Sequence, residues 1–228
     1  DELYAAFMKQ IRYFVDMKVR VSNYIDRMFA KYAPATFLSL FIDDCIAKGR
    51  DYYNCGPRYN TTYIQCTGLG TITDSLVTLK KHIFEDKRWS MDELLKAMAD
   101  NFEGAEAMRQ TILNRTPFFG NDDEYADSIA VKVFDDLYDT IEGKPNTKGE
   151  CFHLNMLSTT CHVYFGKVMG ATPNGRLAGR AISDGTSPSH GADTHGPSAV
   201  IKSLGKLDQV KSGGDIAEPA FPAEPVEA

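Results

Sequence analysis

Between Thr61 and Phe84 the chain changes its hydrophobic period. Thr61-Thr-Tyr-Ile-Gln-Cys66 is rich in β-branched and aromatic residues, Thr67-Gly-Leu-Gly-Thr-Ile-Thr-Asp74 follows, and a helical pattern then runs to Phe84. Strand, glycine turn and helix in that order point to an α/β fold, since a strand must bury its faces against a neighbouring layer. The Gly68-x-Gly70 turn has two readings. Free N–H groups at a helix start can hold an anion, but the third glycine of the dinucleotide fingerprint and the lysine of the phosphate-binding loop are both missing. Tight packing at a strand-to-helix corner is the preferred reading.

Around this unit the chain reads as largely helical. From Asp1 to about Tyr32 apolar residues recur at three- and four-residue steps, among them Leu3, Phe7, Ile11, Phe14, Val15 and Val19, and Pro34 closes that helix. Asp43 and Asp44 stand ahead of a brief helix ending at Gly49 and are expected to cap it. Ser90-Met-Asp-Glu93 is a capping box for a helix to about Phe102, and a second short helix covers Ala105 to Leu113. Asn121-Asp-Asp-Glu124 places acids ahead of Tyr125 to Ile141, at the positive end of a helix dipole; the alternating ligands and central glycine of a calcium loop are absent. A loop from Glu142 to Gly149 leads to a strand from Cys151 to Leu157, and Ser158-Thr-Thr160 is expected to cap a short helix around His162 to Lys167. From Gly170 to Gly214 glycine, proline and serine dominate, apart from one helix between about Ser198 and Asp208. Such a loop-rich segment in a regular chain is commonly functional or wrapped against a partner.

Charge and cysteine usage narrow the function classes. A net charge of −6 leaves no basic field for a phosphate backbone, so nucleic acid is not an expected partner. No apolar run approaches the roughly 20 residues that span a bilayer, and Asp1 to Phe7 is acidic rather than a basic leader, so a cytoplasmic protein is expected. The five cysteines, Cys45, Cys55, Cys66, Cys151 and Cys161, have irregular spacing and read as reduced thiols. Cys151, His153, Cys161 and His162 fit no standard zinc spacing, and no metal site is expected. His153 and His162 show no evident carboxylate partner, so structural hydrogen bonding is their expected role.

Several segments in order carry a resemblance: Arg58-Tyr-Asn-Thr-Thr-Tyr-Ile-Gln65, Gly70-Thr-Ile-Thr-Asp-Ser75, Asn121-Asp-Asp123, Ala171-Thr-Pro-Asn-Gly-Arg-Leu-Ala-Gly179, Asp184-Gly-Thr-Ser-Pro-Ser-His-Gly191 and Gly196-Pro-Ser-Ala-Val-Ile-Lys-Ser203. Together they resemble the glycyl radical enzymes of the pyruvate formate-lyase-like superfamily over residues 1–214, and Tyr-Asn-Thr-Thr-Tyr-Ile-Gln is most similar to the hydroxyproline dehydratase branch. The resemblance implies an α/β, largely helical chain forming part of a ten-stranded barrel of two parallel half-sheets. It also implies a parent enzyme, a radical dehydratase or carbon–carbon lyase for a small polar metabolite. In that family a separate S-adenosylmethionine-dependent, iron–sulfur activase installs a glycyl radical, which oxidises a cysteine to the thiyl that attacks substrate. The protein is thus its own radical cofactor.

The departures from the family pattern set the expected activity. The family cysteine lies in a Gly-Cys-Val-Glu-like loop and the radical glycine in an Arg-Val-x-Gly-Tyr-like motif, and neither occurs here. No residue is therefore carried over as catalytic, no bound cofactor is expected, and the chain alone is expected to be inactive. Asn155 and Leu157, on one face of the strand, are the expected substrate-side wall. Unpaired strand edges and apolar faces make self-association, or docking on an intact homologue as a non-catalytic partner, the expected interactions. Residues 215–228 alternate Ala, Pro and Glu and are expected to be disordered. Codons can be chosen for them so that skipping one base reads Thr-Leu-Leu-Asn-Gln-Arg-Phe-Leu-Pro-Ser-Leu-Leu-Lys, the family continuation, which suggests a one-base insertion near the codons for Gly214 and Asp215.

Overall fold

A computed structural model describes residues 2–213; the readings of Asp215–Ala228 as a disordered or frame-shifted tail lie outside the described residues. The described residues divide into two units, one of residues 2–64 with 136–154 and one of residues 65–135 with 155–213. The described residues are mostly helical, and their two strands form one small sheet.

In the first unit, helix α1 (Glu2–Tyr32) keeps its periodicity over the whole expected length. Only Met8 and Val15, two turns apart on one stripe, are buried, while Tyr13, Phe14, Tyr24 and Ile25 remain exposed. Polar ties hold α1 along its length. The Tyr4 hydroxyl donates to Asp136, Lys144 pairs with Asp16 at 2.7 Å, and Asn23 Nδ2 donates to the Pro145 carbonyl at 3.1 Å. Two short helices follow, α2 (Thr36–Ser39) and α3 (Cys45–Lys48). The capping reading of Asp43 and Asp44 is corrected here. Asp44 occupies the N-cap position with φ +74° but makes no cap bond, because its carboxylate takes the Arg58 guanidinium at 3.0 Å. That bond holds the carboxyl below its ordinary value. An arginine fork offers two charge-assisted donors where a helix terminus offers one neutral N–H.

Strand β1 (Thr62–Gln65) pairs with β2 (Phe152–Asn155). The Thr62 N–H donates to the Cys151 carbonyl and the Cys66 N–H to the Asn155 carbonyl, a constant offset that makes the pair parallel.

In the second unit α4 (Leu69–Thr78) leaves β1 through the glycine turn and continues as a π-helical stretch from Leu79 to Glu85. The corner reading of the glycines holds. Gly68 sits at φ +88°, and a Cβ on Gly70 would lie 2.5 Å from the Ser187 carbonyl oxygen and 2.8 Å from the Ser189 nitrogen. The bare backbone of α4 thus lies directly on the Ser187–Ser189 loop. Ser90 and Glu93 form the expected reciprocal capping box of α5 (Met91–Ala99). With α6 (Glu106–Arg115) this helix encloses a core of Leu94, Ala97, Phe102, Ile112 and Phe118, joined by Ala171 and Ala192 from the loop-rich segment.

Helix α7 (Glu124–Ile141) runs from the second unit into the first, and α8 (Cys161–Val168) and α9 (Pro197–Leu204) complete the elements of helical length. The expected cap of α8 is also corrected. Thr160 stands at its N-cap with φ +104° and makes no cap bond; the Ser158 hydroxyl instead donates to Thr67 Oγ1 at 2.6 Å and accepts the Gly185 N–H at 2.7 Å. Helix α9 docks on the acidic start of α7. Ser203 donates to buried Asp127 at 2.9 Å, and Lys206 reaches Asp127 at 2.7 Å and Glu124 at 3.1 Å. Those bonds to Asp127 and Glu124 raise the Lys206 ammonium well above its usual value.

Candidate functional site

Strand alternation arranges the chemistry of β2. Within β2, Phe152 and Leu154 are buried while His153 and Asn155 are half-buried on alternate positions; outside it Met156 and Ser158 are buried, and Cys151 and Leu157 are half-buried. Asn155 is the last residue of β2, and Leu157 lies beyond the strand's end. The Asn155 side-chain carbonyl accepts the Leu157 N–H at 2.7 Å, which fixes the bend where the strand ends.

His153 is not without a carboxylate partner. Its Nδ1 lies 2.7 Å from Glu142 Oε1, and its Nε2 lies 3.4 Å from Cys151 Sγ. Glu142 arrives through a local antiparallel pairing. The Phe152 N–H donates to the Lys144 carbonyl, the Gly143 N–H donates to the Phe152 carbonyl, and Pro145 bridges Cys151. Sequence reading looked for a carboxylate partner of His153 and missed this one, because Glu142 lies eleven residues earlier, across a loop. The signal was the glycine- and proline-rich turn between Glu142 and Cys151, which folds the loop back onto the strand.

In the second unit His162 Nδ1 lies 3.5 Å from Asp184 Oδ1 without a hydrogen bond between these two buried atoms, and its ring lies 6.3 Å from that of His190. His190 also lines a cavity of about 740 Å³ together with Thr71, Arg109, Asn114, Arg176 and Arg180. The cavity's cationic look is partly spent on structure. Arg176 turns its donors on Thr172 Oγ1 and on the carbonyls of Gly170, Leu177 and Arg180, and Arg109 Nε donates to the Gly175 carbonyl at 2.8 Å. The Thr-Pro-Asn-Gly-Arg turn is thus wrapped around its own arginine.

Two buried titratable groups lie in the same unit. Asp74 on α4 accepts the Phe119 N–H at 2.8 Å, yet burial pushes its carboxyl up to about 7, against the bonds from Ser189 and Phe119. Burial also pushes the Cys66 thiol up to about 11, which keeps it protonated rather than nucleophilic.

Comparison with known proteins places this arrangement. Residues 1–166 match the family described as pyruvate formate lyase-like. The chain belongs to that family. It is 48% identical over 221 residues to the trans-4-hydroxy-L-proline dehydratase of Clostridioides difficile, covering 97% of this chain and 28% of that protein. It is 37% identical over 207 residues to the isethionate sulfite-lyase of Oleidesulfovibrio alaskensis, covering 89% of this chain and 25% of that protein. Among solved structures, hydroxyproline dehydratase from Clostridioides difficile with trans-4-hydroxy-L-proline bound superposes with a TM-score of 0.90 at 49% identity, over 95% of this chain and 27% of that one. The B12-independent glycerol dehydratase from Clostridium butyricum gives 0.88 at 35% identity, over 95% of this chain and 28% of that one. This pyruvate formate lyase-like chain therefore spans about a quarter of the length of these relatives. Its fold is a partial piece of a glycyl radical enzyme barrel, as the resemblance implied. Among the described residues, no helix is long and apolar enough to cross a membrane.

Proposed function

We propose that this chain is a portion of a glycyl radical dehydratase or lyase that acts on a small polar metabolite, and that it does not turn over by itself. The observation that supports this most strongly is the pairing of 48% identity to a dehydratase with coverage of only 28% of that protein. No cysteine here has the Gly-Cys-Val-Glu-like surroundings of the family thiyl, and no glycine has the Arg-Val-x-Gly-Tyr-like surroundings of the radical. In the complete enzyme a separate activase would install the radical, and Asn155 and Leu157 would stand on the substrate side of β2. Asn155, half-buried at the end of β2, and Leu157, half-buried two residues on, support that role by being neither fully buried nor fully exposed.

The identity to the Clostridioides difficile enzyme makes trans-4-hydroxy-L-proline the first substrate to test. After anaerobic treatment with a cognate activase and S-adenosylmethionine, the 228-residue chain is expected to leave this substrate unchanged. A longer product that restores the frame beyond Gly214, and carries both missing loops, is expected to dehydrate it. Turnover by the 228-residue chain overturns the reading of inactivity; a genomic locus whose shifted frame never reaches an Arg-Val-x-Gly-Tyr-like motif overturns the insertion.

A second reading, a non-catalytic protein that docks on itself or on an intact homologue, draws on the exposed Tyr13, Phe14, Tyr24 and Ile25 of α1. Co-purification with a full-length glycyl radical enzyme separates the two.

A further inference from the structure

The two nitrogens of an imidazole are distinct, and what one of them holds decides what the other can do. In His153, Nδ1 lies 2.7 Å from Glu142 Oε1 and Nε2 lies 3.4 Å from Cys151 Sγ. An ionised carboxylate only accepts hydrogen bonds, so Nδ1 carries a proton. The neutral ring then turns its Nε2 lone pair on the thiol, and the three side chains stand in the order nucleophile, base and orienting carboxylate.

Backbone pairing holds that row in place. Cys151 stands immediately before β2 and His153 within it, and the antiparallel pairing of residues 143–145 with 151–152 delivers Glu142. Asn146 locks the connecting turn, accepting the Lys148 and Glu150 N–H groups at 2.9 and 3.0 Å and donating to the Asn60 carbonyl at 2.7 Å. The Glu142 and His153 side chains keep 27% and 29% of their accessible surface and Cys151 is half-buried, so the row opens to solvent. The other cysteines lack this arrangement. Cys45 is buried, burial pushes the Cys66 thiol up to about 11, and among the described residues Cys151 is the cysteine whose sulfur contacts an imidazole.

We propose that Cys151 is a thiol–disulfide exchange site, with His153 as its general base and Glu142 as the residue that positions His153. The co-reactant is the disulfide of a small thiol. As the sulfur attacks, the Cys151 proton passes to His153 Nε2, a bond forms from Sγ to one disulfide sulfur, and the original S–S bond breaks. The departing thiolate takes the proton back from Nε2 and leaves as a free thiol. Cys151 is thereby oxidised to a mixed disulfide while the small disulfide is reduced. The backbone favours this class over acyl transfer, which needs N–H donors for a developing oxyanion. The Glu150 and Phe152 N–H groups that flank Cys151 are spent on Asn146 Oδ1 and the Lys144 carbonyl, at 3.0 and 2.7 Å. This two-electron chemistry does not rest on the radical reading above.

The test treats the reduced 228-residue chain with excess bis(2-hydroxyethyl) disulfide, an uncharged probe, and follows each cysteine by peptide mass spectrometry. Cys151 is expected to form its mixed disulfide about 100-fold faster than half-buried Cys55, the low end of what a positioned general base contributes. His153→Ala is expected to remove that advantage while the Cys55 rate stays the same, and added imidazole to restore it in proportion to its concentration. Where the helical circular dichroism of His153→Ala is lost, His153→Gln, which keeps a polar side chain without a base, takes its place and is expected to lose the same advantage. The ¹⁵N shifts of the neutral His153 ring should report a proton on Nδ1 in the unsubstituted chain and a mixture of tautomers in Glu142→Ala, which a merely structural Glu142 would not change. Equal rates at Cys151 and Cys55, an advantage that survives the loss of the imidazole, no response to added imidazole, or a ring protonated on Nε2 overturns the assignment.

Discussion

Asp74 shows how one residue carries a consequence that its motif does not announce. It belongs to Gly70-Thr-Ile-Thr-Asp-Ser75, where the aspartate reads as an ordinary polar position on a helix, yet it is fully buried and accepts the Phe119 N–H. Burial raises the carboxyl from 3.8 to about 7 in the folded chain. Between those values the folded state holds a proton that the unfolded state has lost. The contribution of Asp74 to stability is therefore full below about pH 4 and falls as pH rises toward 7, with a limiting slope of about 1.4 kcal/mol per pH unit. Asp74→Asn, which fixes the neutral form, is expected to flatten that slope. Chemical denaturation of both chains at intervals from pH 4 to 7 measures it, and parallel stability curves would remove Asp74 as the cause. The residue scale is also where sequence reading gave least. Asp44 and Thr160 occupy the cap positions expected near them but make no cap bond, because Asp44 is taken by Arg58 and the neighbouring Ser158 by Thr67 and Gly185, partners far away in the chain. His153 found Glu142 the same way, across a turn.

Elements were more legible, because their signals are local. The long period of α1, the reciprocal box of Ser90 and Glu93 and the β-branched run of β1 each depend on neighbours within a few residues, and each forms where expected. What local signals do not carry is how an element meets the loop-rich segment. Residues 171, 174, 182, 183, 186 and 187 are buried, so much of this glycine- and serine-rich stretch is interior structure. Ser183 exchanges hydrogen bonds with Thr71, its hydroxyl accepting the Thr71 N–H at 3.0 Å and its own N–H donating to Thr71 Oγ1 at 2.8 Å. Gly70 permits that docking. Its missing side chain is the space in which the Ser187–Ser189 backbone lies, and backbone on both sides leaves nothing flexible to yield. Gly70→Ala is expected to cost about 3 kcal/mol through overpacking. Gly170→Ala, at a position with open space for a Cβ, is expected to change stability by less than about 0.5 kcal/mol. Equal denaturation midpoints for the two variants would contradict the close approach.

At the scale of the whole molecule, two strands and their helices are part of a larger closed architecture, which is how 95% of this chain superposes on about a quarter of a dehydratase. Family membership was legible because the Thr-Pro-Asn-Gly-Arg, Ser-Pro and Gly-Pro-Ser-Ala-Val-Ile-Lys segments each fill a packing role within the second unit: Arg176 winding its turn, Pro188 lying against Gly120, and Ser203 with Lys206 on Asp127. Substrate choice was not legible, since Asn155 and Leu157, proposed above as substrate-side residues, would supply only one wall, and the radical machinery of the family rests on motifs this sequence lacks. The central claim is that radical chemistry needs those missing motifs. Electron paramagnetic resonance, recorded after anaerobic incubation of the 228-residue chain with a cognate activase and S-adenosylmethionine, tests it most directly. The account predicts no protein-based glycyl doublet on this chain, while a full-length homologue in the same activation mixture gives one. A glycyl doublet from the 228-residue chain would contradict it.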